Sequence, residues 1–158
     1  MLKNKLDLGL TDCYPLPPRH IERCNPVFQW RLALNRALRL EKAIHLATPS
    51  HGPHAMSRTL LETVPLHELA VPPVALALAR KRALKIGLAA VIPHHKLGSA
   101  VKGALHSEKI VDTIVGDCLE ALAVYQGKPR ERIWQGRTYL GYHAARRFDI
   151  LDELLTEV

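Results

Sequence analysis

The stretch Ser107-Glu-Lys-Ile-Val-Asp-Thr-Ile-Val-Gly-Asp117-Cys-Leu-Glu120-Ala-Leu-Ala-Val-Tyr-Gln-Gly127 decides how the fold is read. At ~100° per residue, Ile110, Ile114, Cys118, Ala121, Leu122 and Tyr125 fall on one stripe. That periodicity predicts a helix capped by Ser107, carrying Glu108 in its first turn and broken at Lys128-Pro129. Asp117 and Glu120 lie together along the edge of the stripe. Two carboxylates one turn apart at a core boundary can share a hard cation if another element supplies a partner. Without that partner the spacing describes a solvated flank.

Working outward, the periodicity is helical nearly everywhere. Residues 1–24, with Pro15, Pro17 and Pro18, read as an irregular N-terminal arm, and residues 25–158 as one helical domain. Asn25-Pro26 is a cap followed by proline at the first helical position, and the helix it opens is expected to run to about Thr48, before Pro49 to Pro53. Short helices are expected at 55–62, 73–86 and 97–105, and a last helical region over 131–155. With no internal repeat and no alternating strand, the predicted class is all-α, a single-domain helical bundle.

Composition narrows the function. The chain has 158 residues, 47% of them apolar, enough for a real core. No run of eighteen apolar residues and no apolar leader occurs, so membrane partners are excluded and a cytoplasmic or other reducing intracellular compartment is expected. Cys13, Cys24 and Cys118 show no CxxC spacing, which argues against a disulfide framework; zinc through Cys13 and Cys24 with a histidine is the alternative. Against 15 Asp and Glu stand 22 Lys and Arg, a formal charge of +7, and nucleic acid is the default polyanion. Arg80-Lys81-Arg82 and the group Lys128, Arg130, Arg132 and Arg137 are the candidate nucleic-acid contacts. Few aromatics interleave with them, so phosphate contact is expected rather than a stacking platform.

On the helix after Asn25, Glu41 projects toward the Trp30, Leu34 and Ala37 face, with His45 one turn on. A carboxylate pointed at the core must be paired, protonated or metal-bound. Pairing with His45 or with an arginine from another helix is the structural reading; a metal or catalytic role is the functional one.

The order of these features resembles the ribonuclease III family. Arg39-Leu40-Glu41-x-x-x-His45 is similar to its first catalytic helix, and Asp117-Cys-Leu-Glu120-Ala-Leu122 to the end of its second. Met56 to Leu61, Leu66 to Ala70, Ala77 to Arg80 and Ala144 to Phe148 are similar to its other helices. The resemblance implies a homodimer that handles double-stranded RNA. It implies Glu41, Asp117 and Glu120 as catalytic residues, and Glu41, His45, Asp117 and Glu120 as ligands of Mg²⁺, which would activate water. His45 stands where that family has Asp, and imidazole is a poor ligand for a hard ion. The site is therefore expected to be impaired, to use Mn²⁺, or to be a relic in a protein that binds structured RNA without cutting it.

Two other readings stand beside this one. The chain could be a non-catalytic basic helical subunit of a ribonucleoprotein or other nucleic-acid complex. Alternatively, Arg137-Thr-Tyr-Leu-Gly-Tyr-His143 has the spacing of the metal-independent HEPN ribonuclease motif. His51, His54, His94 and His95 lie in proline-bounded loops and read as exposed loop histidines, and Cys118 as core filler.

Overall fold

The structure is a computed structural model and describes residues 5–16, 20, 25–98 and 103–156. It corrects the all-α expectation: the fold is mixed α/β. Strand β1 (Leu8–Asp12) lies inside the segment read as an irregular arm, and it is the central strand of a three-stranded sheet. It pairs antiparallel with β2 (Ala55–Met56) and parallel with β3 (Ile86–Val91). The crossover between the parallel strands contains α1 (Pro26–Ala37), α2 (Glu41–Ile44), α3 (Arg58–Thr63) and α4 (Pro72–Lys81). After β3 come α5 (Ala104–Gln126), the hairpin β4 (Ile133–Trp134) and β5 (Arg137–Thr138), and α6 (Phe148–Thr156).

The sheet escaped sequence reading for a physical reason. Every residue of β1 is buried, so it has no apolar-polar alternation to show. Its partners lie far along the chain, and no hairpin turn announces them. Asp7 ties the three strands at one end: its carboxylate accepts from Ser57 Oγ at 2.9 Å and from the Lys85 backbone N–H at 2.9 Å.

Helix α1 is opened as predicted, with the Asn25 side chain accepting from Val27 N and Pro26 in the first turn. It ends eleven residues early. Arg39 takes a left-handed φ of 57°, which breaks the predicted continuous helix inside the Arg39-Leu40-Glu41 motif. Helix α5 is close to its predicted extent and stops at Gly127, which adopts φ 70°. It is the central helix, packed by α1 and α4. From Val115 to Ala121 every residue is buried, because the chain from 128 to 147 folds back over the face carrying Asp117 and Glu120. Gly116 permits that return: a Cβ there would lie 2.1 Å from the Tyr139 carbonyl oxygen. The region expected to be a last long helix is therefore a hairpin, a 3-10 turn at His143–Ala145 and the short α6.

The core joins Leu8 and Leu10 of β1 to Leu34, Leu38 and Ile44, to Leu60, Val74 and Leu76, and to Cys118 and Ala121. Each leucine so buried contributes ~1.5–3 kcal/mol. Among the described residues no helix is long and apolar enough to cross a membrane.

Candidate functional site

Asp117 and Glu120 do come together as the spacing on α5 predicts, but they are buried and paired with arginines. Arg132 Nη1 donates to Asp117 Oδ1 and to Glu120 Oε2, each at 2.8 Å. The same guanidinium donates through Nε to the Tyr139 carbonyl at 2.9 Å and through Nη2 to the Thr113 carbonyl at 3.0 Å. Arg146 grips Asp117 with both terminal nitrogens, at 2.8 and 2.7 Å. Arg130 approaches Glu120 Oε1 at 3.3 Å and binds Glu68 as well. His143 completes the group: one ligand atom from each of Asp117, Glu120 and His143 lies within 4.8 Å of the others. Its ring is held below the usual imidazole range, first by burial and then by the charge of Arg132. Arg146 Nη1 lies 2.7 Å from His143 Nδ1, an arrangement in which neutral imidazole accepts.

These donors do not fit a divalent cation. The carboxylates of Asp117, Glu120 and Glu68 are matched by the guanidinium groups of Arg130, Arg132 and Arg146. No net negative charge is left over, and Arg132 already bridges the pair that would have to chelate. A cleft of about 320 Å³ opens beside the group, lined by His67, Glu68, Glu120, Arg130, His143 and Asp152 among others.

The rest of the predicted metal site lies elsewhere. Glu41 is half exposed and pairs with Arg36 at 3.0 Å, and His45 faces Asp12 at 3.6 Å. Among the described residues, neither belongs to a metal-capable cluster with Asp117 and Glu120. The inward projection of Glu41 assumed an unbroken helix; the turn at Arg39 rotates it away. The HEPN spacing is likewise not carried on one helix, since Arg137 is on β5, paired with Asp112 at 2.8 Å, and His143 is on the 3-10 turn. Of the cysteines, Cys13 and Cys118 are buried free thiols, and burial raises Cys118 to about 12; Cys24 and the zinc reading that needs it fall outside the described residues.

The candidate nucleic-acid contacts divide into two groups. Arg80-Lys81-Arg82 is an internal clamp. Arg80 Nε donates to the Leu38 carbonyl that ends α1 at 2.9 Å, Lys81 Nζ to Val124 in the last turn of α5 at 3.1 Å, and Arg82 Nη1 to Thr63 at the end of α3 at 3.1 Å. Three helix C-termini, each with unsatisfied carbonyls and a partial negative charge, thus receive one cation apiece. In the second group Arg132 is buried, while Lys128, Arg130 and Arg137 are exposed.

Beside this second group lies a feature the sequence analysis missed. Trp30 of α1 and Trp134 of β4 meet edge to face at 5.1 Å and line a cleft of about 270 Å³ with Leu122, Gln126, Lys128 and Ile133. Trp134 is 48% exposed and Ile133 49%. The two tryptophans are more than a hundred positions apart, so only the fold reveals a ring platform whose lining carries both Lys128 and Glu131. Arg137 further stacks over Tyr139, 4.8 Å from the ring centre. Compared with family models, curated proteins and solved structures, the chain matches none.

Proposed function

We propose that the protein binds structured RNA by its phosphates and unpaired bases, without using a metal ion. The observation that carries the reading is the Trp30/Trp134 cleft with Lys128 on its rim. Lys128 has no carboxylate partner among the described residues. A loop base stacked on an indole gains about 1–3 kcal/mol, and a neighbouring ammonium serves the adjoining phosphate. The formal charge of +7 supports the same partner. Metal-dependent cleavage in the manner of ribonuclease III is not part of the proposal, because Arg132 bridges the carboxylates such chemistry needs.

The test uses the protein's own fluorophores. Its two tryptophans are the two that line the cleft. Titration with a hairpin RNA bearing an unpaired loop, in chelator, should shift and quench their emission more than a blunt duplex does. With about three phosphates engaged, affinity should fall on the order of tenfold between 50 and 200 mM salt. Unchanged emission with every RNA, or binding that requires Mg²⁺ or Mn²⁺, would sink the reading.

A further inference from the structure

Among the described residues the buried arginines are Arg31 and Arg132, and their surroundings are opposite. Arg132 donates from each of its nitrogens. Arg31, on α1, is 2% exposed, yet its Nε has no hydrogen-bond partner and no described carboxylate lies within ion-pair distance. The polar groups facing it are the Tyr14 hydroxyl and the thiols of Cys13 and Cys118, and burial pushes its guanidinium down from the usual range. A buried cation without a counter-charge is strongly unfavourable, and none of the described carboxylates supplies one to Arg31, which leaves its Nε open to an anion.

Its position agrees. Cys13 and Tyr14 directly follow β1, and the chain leaving parallel β3 returns beside them, with the His94 N–H donating to the Cys13 carbonyl at 3.0 Å. This is the carboxyl edge of a parallel strand pair, where open α/β sheets hold ligands. Three rings wall it. Tyr14 stacks on His51 at 5.4 Å and on His94 at 5.6 Å, and His51 Nε2 lies 3.1 Å from His94 Nδ1. The loop bearing His51 is pressed onto the strand end: Gly52 has φ 74°, and a Cβ there would lie 2.7 Å from Cys13 Sγ.

We propose that this edge is a binding site for a small oxyanion, phosphate or carboxylate, whose charge Arg31 balances and which Tyr14, His51 and His94 surround. The forked guanidinium matches the oxygen spacing of either group, and burial strengthens the contact. The inference is independent of RNA binding, since it uses neither tryptophan nor Lys128.

The test is a nuclear magnetic resonance titration of ¹⁵N-labelled protein with inorganic phosphate, with acetate, with a 5′-nucleoside monophosphate and with the uncharged nucleoside, following arginine Nε–H signals. The signal missing from Arg31→Met identifies Arg31. In the wild type it should move saturably with at least one oxyanion and not with the nucleoside; the ranking of phosphate against acetate distinguishes the two sources. Arg31→Met should bind at least tenfold more weakly, and in ligand-free buffer its thermal midpoint should equal or exceed that of the wild type. A structural role would lower that midpoint. If the variant does not fold, the wild-type titration and His51→Asn, expected to bind several-fold more weakly, still decide the matter. An Arg31 signal unmoved by every oxyanion, equal affinity in Arg31→Met, or a ligand-free midpoint that falls while binding persists would overturn the proposal.

Discussion

Arg132 Nη1 sits 2.8 Å from Asp117 Oδ1 and 2.8 Å from Glu120 Oε2, so one guanidinium nitrogen stands where a shared cation would stand. Removing it with Arg132→Ala leaves two buried carboxylates short of a counter-ion and should cost about 3–5 kcal/mol in urea unfolding. Conversely, millimolar Mg²⁺ or Mn²⁺ should leave the wild-type melting temperature unchanged. A resident ion at a hundred times its Kd would add about 2.7 kcal/mol, a shift that calorimetry would detect.

The clamp at the end of α4 predicts a dissociation between stability and RNA affinity. Arg80→Ala should lose about 1–2 kcal/mol, because a half-buried charged donor leaves the Leu38 carbonyl. Arg82→Ala, at an exposed contact, should lose less than about 1 kcal/mol. Neither should weaken RNA binding. A drop in affinity with intact stability would mean that these side chains leave their helix ends to meet phosphate.

Trp134→Ala should weaken binding to loop-bearing RNA by about 1–3 kcal/mol, and Lys128→Gln should reduce the salt dependence of binding. Equal affinity of Trp134→Ala and wild type in a fluorescence anisotropy assay would separate the cleft from RNA recognition.

Gly116→Ala should destabilise by about 2 kcal/mol or more, since the added methyl meets the Tyr139 carbonyl and the Arg132 guanidinium rather than a flexible chain end. The variant should also loosen the return segment, seen as faster amide exchange at Tyr139 and Tyr142. Gly103→Ala, which meets nothing within 4 Å, serves as the control.

His51 carries a pH signature. Burial, followed by the charge of Arg31 and the nearby His94, lowers it from 6.5 to about 4. The unfolded chain therefore binds the proton first as pH falls. The contribution of neutral His51 is complete above about pH 6.5 and is lost progressively toward pH 4. Discounted for the solvent on its open side, the loss is on the order of 1–2 kcal/mol. His51→Gln should flatten the stability profile across that window, as followed by chemical denaturation at stepped pH; an unchanged slope would place the titration elsewhere.

Local signals were legible where local physics decides. Asn25-Pro26 opens α1, the apolar spacing from Ile110 to Tyr125 traces α5, and Gly127 ends it. The adjacency of Asp117 and Glu120 also follows from helical geometry alone. Their role does not, because it depends on Arg130, Arg132 and Arg146 arriving from a segment that reads as helix and folds as a hairpin and turns. Glu41 and His45 are turned toward Arg36 and Asp12 by a single backbone turn at Arg39, which no periodicity foretells. The sheet was invisible for a related reason: β1 is buried on both faces, and its parallel partner is nearly eighty residues away. The amino-acid sequence by itself determined the start of α1 with its Asn25 cap, the body of α5, the basic excess and the carboxylate pair, all of which depend on interactions within a few residues; the cap expected at Ser107 lies inside α5, which begins at Ala104. Only the tertiary structure decided which charges neutralise one another, which rings share a cleft and which buried arginine has no carboxylate beside it among the described residues, because those energies arise between groups that the chain brings together only when it folds.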